Sequence, residues 1–174
     1  NMNAYKAQGF SLVELMVAIF IISLLAAVSG PAYRSYLVKS KFTEVLGTVA
    51  QYKEDLQTNY LDSDQFSNQF SGLTVSTYTL ITSDVIKLIF YGRATDKRAA
   101  YLQFFTKDLG VDSFSLVADN GTGGAKCRVT LAAVMSATGQ MQYYCGQWDG
   151  GSLDVPTKYL PNSCQDTNIS AHIS

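Results

Sequence analysis

One acidic side chain interrupts a long apolar segment near the start of the chain. From Phe10 to Val28 the residues are apolar or small, and Glu14 carries the one charge in this run. About 20 such residues are enough for a helix to cross the hydrocarbon core of a bilayer. A carboxylate in a membrane helix is costly, so it indicates a functional site with a positive partner. Because the run contains no Lys or Arg, we expect that partner on a second copy of the helix.

The residues before this run indicate whether proteolytic cleavage would remove the helix from the protein. The alternative to a functional acid is an ordinary signal-anchor helix with Glu14 at the membrane interface. A secretory signal is cut after its apolar region, at a small residue. Here the small residue, Gly9, precedes the apolar region. Cleavage at Gly9 would therefore leave the hydrophobic helix on the mature protein.

The charge balance argues against a protein dedicated to nucleic acid. The 174 residues include 13 Lys and Arg and 14 Asp and Glu, for a net charge of −1. Sequence-independent binding to nucleic acid needs clustered cations that release counterions. Two short basic runs, residues 93–98 and 126–128, are the candidates, and such runs are typical of solvated loops. Arg93, Lys97 and Arg98 of the first run are the residues through which contact with DNA would be expected.

Three cysteines allow three single disulfide pairings, among Cys127, Cys145 and Cys164. A hairpin turn at residues 136–139 would pair Met135 with Gln140. In that register Cys127 and Cys145 lie three positions apart on neighbouring strands, about 10 Å, which is beyond bridging distance. We therefore expect Cys127 to stay outside a disulfide with Cys145, as a small buried residue.

Residues that would support catalysis or metal binding are scarce. His172 is the only histidine and lies close to the end of the sequence, so Ser-His-Asp, Cys-His and histidine metal sites have little support. We expect it in a frayed polar terminus. Residues 62–64, Asp-Ser-Asp, lack the glycine and distal Glu of an EF-hand calcium loop. The sequence thus predicts no enzyme, no metal site and no cofactor.

The spacing of apolar residues predicts the elements that position these side chains. Helical periodicity continues beyond Pro31 to about Leu61. The stripe consists of Tyr33, Leu37, Phe42, Val45, Val49, Tyr52, Leu56 and Tyr60. We predict one helix over residues 11–61, apolar all round in its first half and amphipathic in its second.

The rest of the chain predicts an antiparallel sheet. A loop rich in Ser, Thr, Gly and Asn is expected over residues 62–79. Strands are predicted at residues 85–91, 99–105, 114–118, 128–135 and 140–145, with a turn at residues 120–124. A sheet of four or five strands with one apolar face would cover the amphipathic half of the helix. The predicted class is α+β.

The start of the apolar run, GFSLVE at residues 9–14, resembles the prepilin leader of type IV pilins and pseudopilins. The resemblance makes Gly9 the residue before the cut and Phe10 the new, N-methylated terminus. It makes Glu14 the acid at the fifth mature position, where it would act with Phe10 in subunit docking. Residues 1–9 would then be the leader peptide.

Two further stretches carry the resemblance along the chain. Gly30 and Pro31 fall where many pilins have a helix-kinking proline, since proline removes a backbone hydrogen bond. The sequences YYC, ending at Cys145, and KYLPNSC, ending at Cys164, look like the C-terminal disulfide loop of type IVa pilins. The resemblance therefore implies the Cys145–Cys164 pairing and the pilin fold.

The resemblance also implies how the protein is processed and assembled, and with which partners. Residues 10–31 would form the transmembrane and filament-core helix, and residues 32–174 the globular head. The precursor would lie in the inner membrane, be cut and methylated by prepilin peptidase, and be polymerised by the pilus assembly machinery. The homo-oligomeric extracellular filament would serve adhesion, twitching motility or DNA uptake.

Two alternatives remain open at this point. The nearest is a minor pilin or a type II secretion pseudopilin, which would share the N-terminal half. The other is a membrane-anchored module that binds DNA or a surface at a fibre tip. DNA binding that is lost when Arg93, Lys97 and Arg98 are neutralised would favour the second.

Overall fold

The computed structural model describes residues 9–81, 83–107, 127–151 and 153–173. The predicted strand at 114–118, the predicted turn at 120–124 and residues 1–8 of the predicted leader lie outside these residues. The chain divides into two units, Asn1–Leu37 and Val38–Ser174. The leader, helix and head boundaries at residues 9 and 31 stay a prediction.

Helix α1, Leu12–Ser63, confirms the helix predicted over residues 11–61. At its start the Leu15 N–H donates to the Ser11 carbonyl, at 3.2 Å. The helix ends where Asp64 adopts a φ of 53°, a left-handed conformation that stops helical hydrogen bonding. In the last turn the Ser63 hydroxyl also donates to the Asn59 carbonyl, at 3.1 Å.

The buried face of α1 begins at Val38, whereas the predicted stripe begins at Tyr33. The buried side chains are Val38, Phe42, Val45, Val49, Leu56 and Tyr60. Tyr33 and Leu37 were expected in the stripe, but they are 64% and 41% exposed. Spacings of three to five residues are compatible with either Leu37 or Val38 on the buried face. The 3.6-residue period of the helix places Val38 on the same face as Phe42 and Val45.

Five antiparallel strands form the main sheet, and neighbouring strands in the sheet are also consecutive along the chain. The bounds are β3 Thr77–Leu80, β4 Ile86–Arg93, β5 Ala99–Thr106, β6 Cys127–Met135 and β7 Met141–Gly146. A separate two-stranded hairpin consists of β1 Gln69–Phe70 and β2 Leu73–Thr74. The predicted α+β fold and strand number are therefore confirmed.

The loop predicted over residues 62–79 is wrong from Gln69 onward, where β1, β2 and most of β3 lie. Strand β3 lies at the edge of the main sheet, where Thr77 pairs with Tyr91 and Leu80 with Leu88. Its side chains are mostly exposed, so the apolar alternation that indicates a half-buried strand is missing. Composition therefore suggested a loop, although Thr and Tyr favour strands.

The register predicted for the β6–β7 hairpin is wrong by one residue. Met135 pairs with Met141, not Gln140, and Cys145 pairs with Leu131, not Thr130. The connection is a residue longer because the Ser136 N–H donates to the Gln140 carbonyl, at 2.9 Å. Gly139, with a φ of +78°, permits this longer loop.

The core lies between the amphipathic half of α1 and one face of the main sheet. Tyr52 of α1 contacts Phe104 of β5 and Phe70 of β1, with ring centroids 5.8 and 6.1 Å apart. Tyr91 of β4 is fully buried, and its hydroxyl donates to the Ser67 carbonyl at 2.9 Å. Burial raises the pKa of Tyr91 to about 12, against a small opposing effect of a nearby arginine.

Candidate assembly site and the disulfide-closed loop

The N-terminal part of α1 exposes almost its whole apolar surface. The large apolar side chains from Phe10 to Val28 are between 51% and 78% exposed. In the described chain, α1 is the helix that is long and apolar enough to span a bilayer. A contiguous apolar surface of this size marks a region that lipid or another protein covers.

Glu14 makes a local hydrogen bond that sequence reasoning missed. Its Oε2 atom accepts from the Ser11 backbone N–H at 3.1 Å. Because α1 begins at Leu12, this is half of a capping box, in which a glutamate three residues into the helix binds the N–H of the capping serine. The signal was present in the sequence as the Ser-x-x-Glu of SLVE. Glu14 therefore stabilises the start of the helix whatever else it does.

The remaining acceptor capacity of Glu14 is open. In the part of the chain that the structure describes, its Oε1 atom has no hydrogen-bond partner. The hydroxyls of the same segment are satisfied locally, since Ser23 donates to the Ile19 carbonyl at 2.7 Å and Ser29 to the Ala26 carbonyl at 3.3 Å. Serine hydroxyls bound to the preceding turn add little polar cost to an apolar helix. Glu14 is thus the charged group that remains available to a partner.

The other predicted residues of this region lie in or next to α1. Phe10, which follows Gly9, is 78% exposed. Cleavage after Gly9 and methylation of Phe10 stay predictions. Gly30 and Pro31 lie within the helix. Pro31 has no N–H, so the Ala27 carbonyl lacks its usual helical donor. The proposed bend at Gly30 and Pro31 stays a prediction.

A disulfide joins β7 to the C-terminal segment, as the resemblance implied. Cys145 and Cys164 are bonded, with their Cα atoms 4.4 Å apart. Cys127 lies outside this bond and is buried at the start of β6, opposite Thr106. The expectation for Cys127 is confirmed, although the register from which it was argued is wrong.

An ion-pair network fixes the loop that the disulfide closes. Arg128 of β6 donates through Nε to Asp154 at 2.7 Å and through a terminal nitrogen to Asp149 at 2.8 Å. The second oxygen of Asp154 accepts from the backbone N–H groups of Asp149 and Gly150, at 3.1 and 3.0 Å. Burial alone raises the pKa of Asp154, but the hydrogen bond and charge of Arg128 hold that pKa below its usual value.

The two basic runs considered for DNA are largely engaged within the fold. Arg128, from the second run, binds the carboxylates just described. Arg93 donates to the Phe66 carbonyl at 2.8 Å, and Arg98 donates to the Ser136 carbonyl at 3.2 Å. Lys97 holds a left-handed turn position with a φ of 62°. These arginines thus have structural roles in the head.

The prediction of a frayed terminus around His172 is wrong. Residues Ile169–His172 form a 3₁₀ helix. The His172 ring stacks on Tyr144 with centroids 3.8 Å apart, and its Nε2 lies 2.9 Å from an Asp166 oxygen. The Ile169 N–H donates to the Gln147 carbonyl at 3.0 Å, which continues the pairing of the C-terminal segment with the end of β7. These long-range contacts leave no periodic signal in the sequence.

Within the described ranges, no cluster of three or more His, Cys, Asp or Glu side chains could hold a metal ion. The acidic residues at 62–64 lie at the end of α1 and the turn that follows it.

In comparison with known proteins, two family models match separate parts of the chain. Residues 5–30 match the prokaryotic N-terminal methylation motif. Residues 38–165 match the pilin family of bacterial filaments. The second match begins where the second structural unit begins, at Val38.

Individual relatives agree with the family match. A type IV major fimbrial protein FimA of Dichelobacter nodosus is 35% identical over 168 residues, covering 91% of this chain and 96% of that protein. The type IV major pilin protein PilE1 of Neisseria gonorrhoeae is 24% identical over 174 residues, covering 91% and 73%. A fimbrial protein of Neisseria meningitidis serogroup A is 22% identical over 176 residues, covering 91% and 94%. The exposed apolar helix, the α+β head, the disulfide loop and these matches together show that the chain belongs to the type IV pilin family, the structural subunits of fimbriae.

Proposed function

We propose that this pilin is a structural, non-catalytic subunit made as a precursor. Prepilin peptidase cuts it between Gly9 and Phe10 and methylates the new amine of Phe10. The apolar half of α1 holds the subunit in the inner membrane, and the assembly machinery then moves it into an extracellular filament. The match of residues 5–30 to a methylation motif supports this sequence of events.

The observation that carries the docking proposal is the open carboxylate oxygen of Glu14 on an exposed apolar helix. Cleavage after Gly9 would create a positive amine on Phe10, and that charge persists after methylation. Within one subunit the Phe10 amine and Glu14 would pair only weakly, so pairing with the amine of a neighbouring subunit relieves the desolvation cost of the Glu14 charge in lipid. Such a head-to-tail contact does not close on itself, and it builds an open helical filament.

We propose that this chain is the major subunit and not a minor pilin or a pseudopilin. Two of the relatives are named major fimbrial or major pilin proteins and align with 91% of this chain. The Cys145–Cys164 loop supports a pilin over a pseudopilin. Loss of all fibres in cells lacking this chain, seen by electron microscopy, is the expected result. Fibres in normal number would indicate a minor subunit.

Among the uses of such a fibre, we propose adhesion before DNA uptake. Arg93 and Arg98 donate hydrogen bonds to backbone carbonyls within the head, so fewer of their N–H groups are available to bind phosphates. Twitching motility depends on the retraction machinery and is compatible with either use. Normal DNA uptake after neutralising the exposed Lys97 and Arg98 would agree with the proposal.

The docking test must separate the charge of Glu14 from its capping role. Glu14→Gln keeps an acceptor for the Ser11 N–H, because glutamine also serves in a capping box. Glu14→Val removes both. We expect normal membrane insertion and leader cleavage for both variants, and a strong loss of filament incorporation for both beside wild-type subunits.

The outcomes distinguish the two roles of the carboxylate. If Glu14→Gln assembles like wild type while Glu14→Val does not, capping explains the residue and the docking proposal fails. Ser11→Ala, which removes the capping hydroxyl and keeps the N–H donor and the carboxylate, is the matched control and should assemble. Replacing Gly9 by a bulky residue should leave uncut precursor on an immunoblot.

A further inference from the structure

A pocket of about 590 Å³ opens on the head. One wall is the loop between β4 and β5, and the other is the segment that follows β7 together with the last described residues. The side chains that matter for its chemistry are Arg93, Thr95, Asp96, Tyr101, Trp148 and Ser170. None of these residues belongs to the proposed docking site.

Two aromatic rings form one side of the pocket. Tyr101 and Trp148 lie with ring centroids 4.4 Å apart and planes tilted by 36°. The Tyr101 ring lies over Gly92 of the neighbouring strand, where an added Cβ atom would come within 2.1 Å of the ring. Glycine at this strand position is thus explained by the close approach of the ring. The result is a fixed aromatic platform that is half-buried and outside the core.

Polar groups surround this platform with unused hydrogen-bonding capacity. Among the described residues, the Trp148 indole N–H and the Tyr101 hydroxyl have no hydrogen-bond partner. Arg93 uses one terminal nitrogen on the Phe66 carbonyl, and one Asp96 oxygen accepts from the Arg98 N–H at 3.0 Å. The remaining donors of Arg93 and the second oxygen of Asp96 are left to a ligand. The two charges are opposite, so the pocket has no net preference for a charged ligand.

Both walls are held in place before any ligand arrives. The β4–β5 loop is fixed because the Phe66 N–H donates to the Lys97 carbonyl at 3.0 Å. The opposite wall is fixed because the Ser170 N–H donates to the Trp148 carbonyl at 2.9 Å. A pocket whose walls are set in advance costs little ordering on binding.

We propose that this pocket binds a neutral pyranose sugar, as found at the ends of cell-surface glycans. A pyranose ring has an apolar C–H face that suits the electron-rich face of an aromatic ring. Its rim carries hydroxyls that both donate and accept, which matches a guanidinium, a carboxylate, a phenol and an indole N–H. An apolar surface with a few convergent polar groups is the usual composition of a small-molecule site. The proposal does not depend on Glu14 or on filament assembly.

The chain offers a direct probe, because Trp148 is its only tryptophan. Full-length protein in a polyoxyethylene detergent, which contains no sugar, is titrated with methyl β-D-galactopyranoside and with the methyl glycoside of N-acetylglucosamine. We expect a saturable change in tryptophan emission with at least one of them, in the millimolar range. Sorbitol, which has the hydroxyls but no ring face, should give no saturable change.

Variants then locate the site by saturation-transfer NMR, which does not need the tryptophan. Trp148→Ala and Asp96→Asn should each weaken binding at least tenfold. Tyr101→Phe, which keeps the ring, should have a smaller effect. Tyr78→Phe is the matched control because Tyr78 lies in the same row of aromatic rings but does not line the pocket. Circular dichroism and an intact disulfide verify that each variant is folded.

Several results would overturn the proposal. One is the absence of a saturable response to both glycosides. Others are an equal response to sorbitol, binding of N-acetylneuraminic acid with no binding of the neutral glycosides, or unchanged binding by folded Trp148→Ala.

Discussion

Replacing Arg128 by methionine should destabilise the head strongly, because it leaves the buried carboxylate of Asp154 without its cation. The Asp154 side chain is 0% exposed and that of Arg128 is 12% exposed. Removing one partner of such a buried pair costs about 3–5 kcal/mol. The second contact, to the 53% exposed Asp149, adds about 1 kcal/mol or less. Methionine keeps much of the apolar volume of the arginine stem, so the loss reports mainly the charge.

The assay is urea unfolding of the full-length chain in nonionic detergent at pH 7, followed by tryptophan emission and circular dichroism. With a slope of about 2 kcal/mol per molar urea, the midpoint should fall by about 2 M. Arg98→Met is the matched control, since Arg98 is exposed and its guanidinium binds a single carbonyl. Its cost should stay below about 1 kcal/mol.

The pH dependence supplies a second test with a definite sign. The pKa of Asp154 is lowered in the folded protein, so its stabilising effect exists above the pKa of the unfolded chain and is lost as pH falls through the folded pKa. The difference between wild type and Arg128→Met should therefore shrink as pH falls below the ordinary aspartate pKa of about 3.9. A cost below 1 kcal/mol at pH 7, or a difference that grows on acidification, would refute the reasoning.

Three further predictions concern the head. Replacing Cys145 and Cys164 by serine, which opens a link with a sequence separation of 19, should lower the unfolding free energy by about 3 kcal/mol and leave the far-UV spectrum near native; a stability equal to that of the wild type would contradict it. The pKa of Tyr91 is raised in the folded protein, so its contribution to the unfolding free energy is fully present below the unfolded tyrosine pKa of about 10 and is lost as pH rises towards about 12. Tyr91→Phe should reduce this decline when the unfolding free energy is measured at increasing alkaline pH. Gly92→Ala should displace the Tyr101 ring and cost about 1 kcal/mol or more, with a changed tryptophan emission; unchanged emission would count against the close contact.

Much of the fold was predictable because the local patterns were strong. The apolar run and the stripe through Phe42, Val45 and Val49 indicated a helix longer than a membrane requires, and the structure has it. Strands β4 to β7 carry apolar alternation or continuous apolar runs, so their positions were found to within two residues. Burial of one face produces a period in the sequence, and that period can be recognised.

The errors arose where position depends on something other than burial. Strand β3 is held by edge pairing and has exposed side chains, so it has no apolar period. The β6–β7 register depended on whether the hairpin loop has four or five residues, and a hydrogen bond from Ser136 to Gln140 decides this. The place of His172 depends on pairing between the C-terminal segment and β7, which joins residues distant in sequence.

Around Glu14, one feature was recognised in the sequence and another was overlooked. A docking role for Glu14 was predicted from a single charge in an apolar run and stays a prediction. Its hydrogen bond to Ser11 was overlooked, although the capping pattern is local. The aromatic pocket could not be found from sequence, because Tyr101 and Trp148 meet only through the order of strands in the sheet.

A density map of the assembled filament tests the central claim most directly, through the distance between the Glu14 carboxylate and the nearest terminal nitrogen of Phe10 in a neighbouring subunit. The account predicts a separation of about 4 Å or less, the range of an ion pair. A carboxylate more than about 8 Å from every such nitrogen and bound to the Ser11 N–H alone would contradict it.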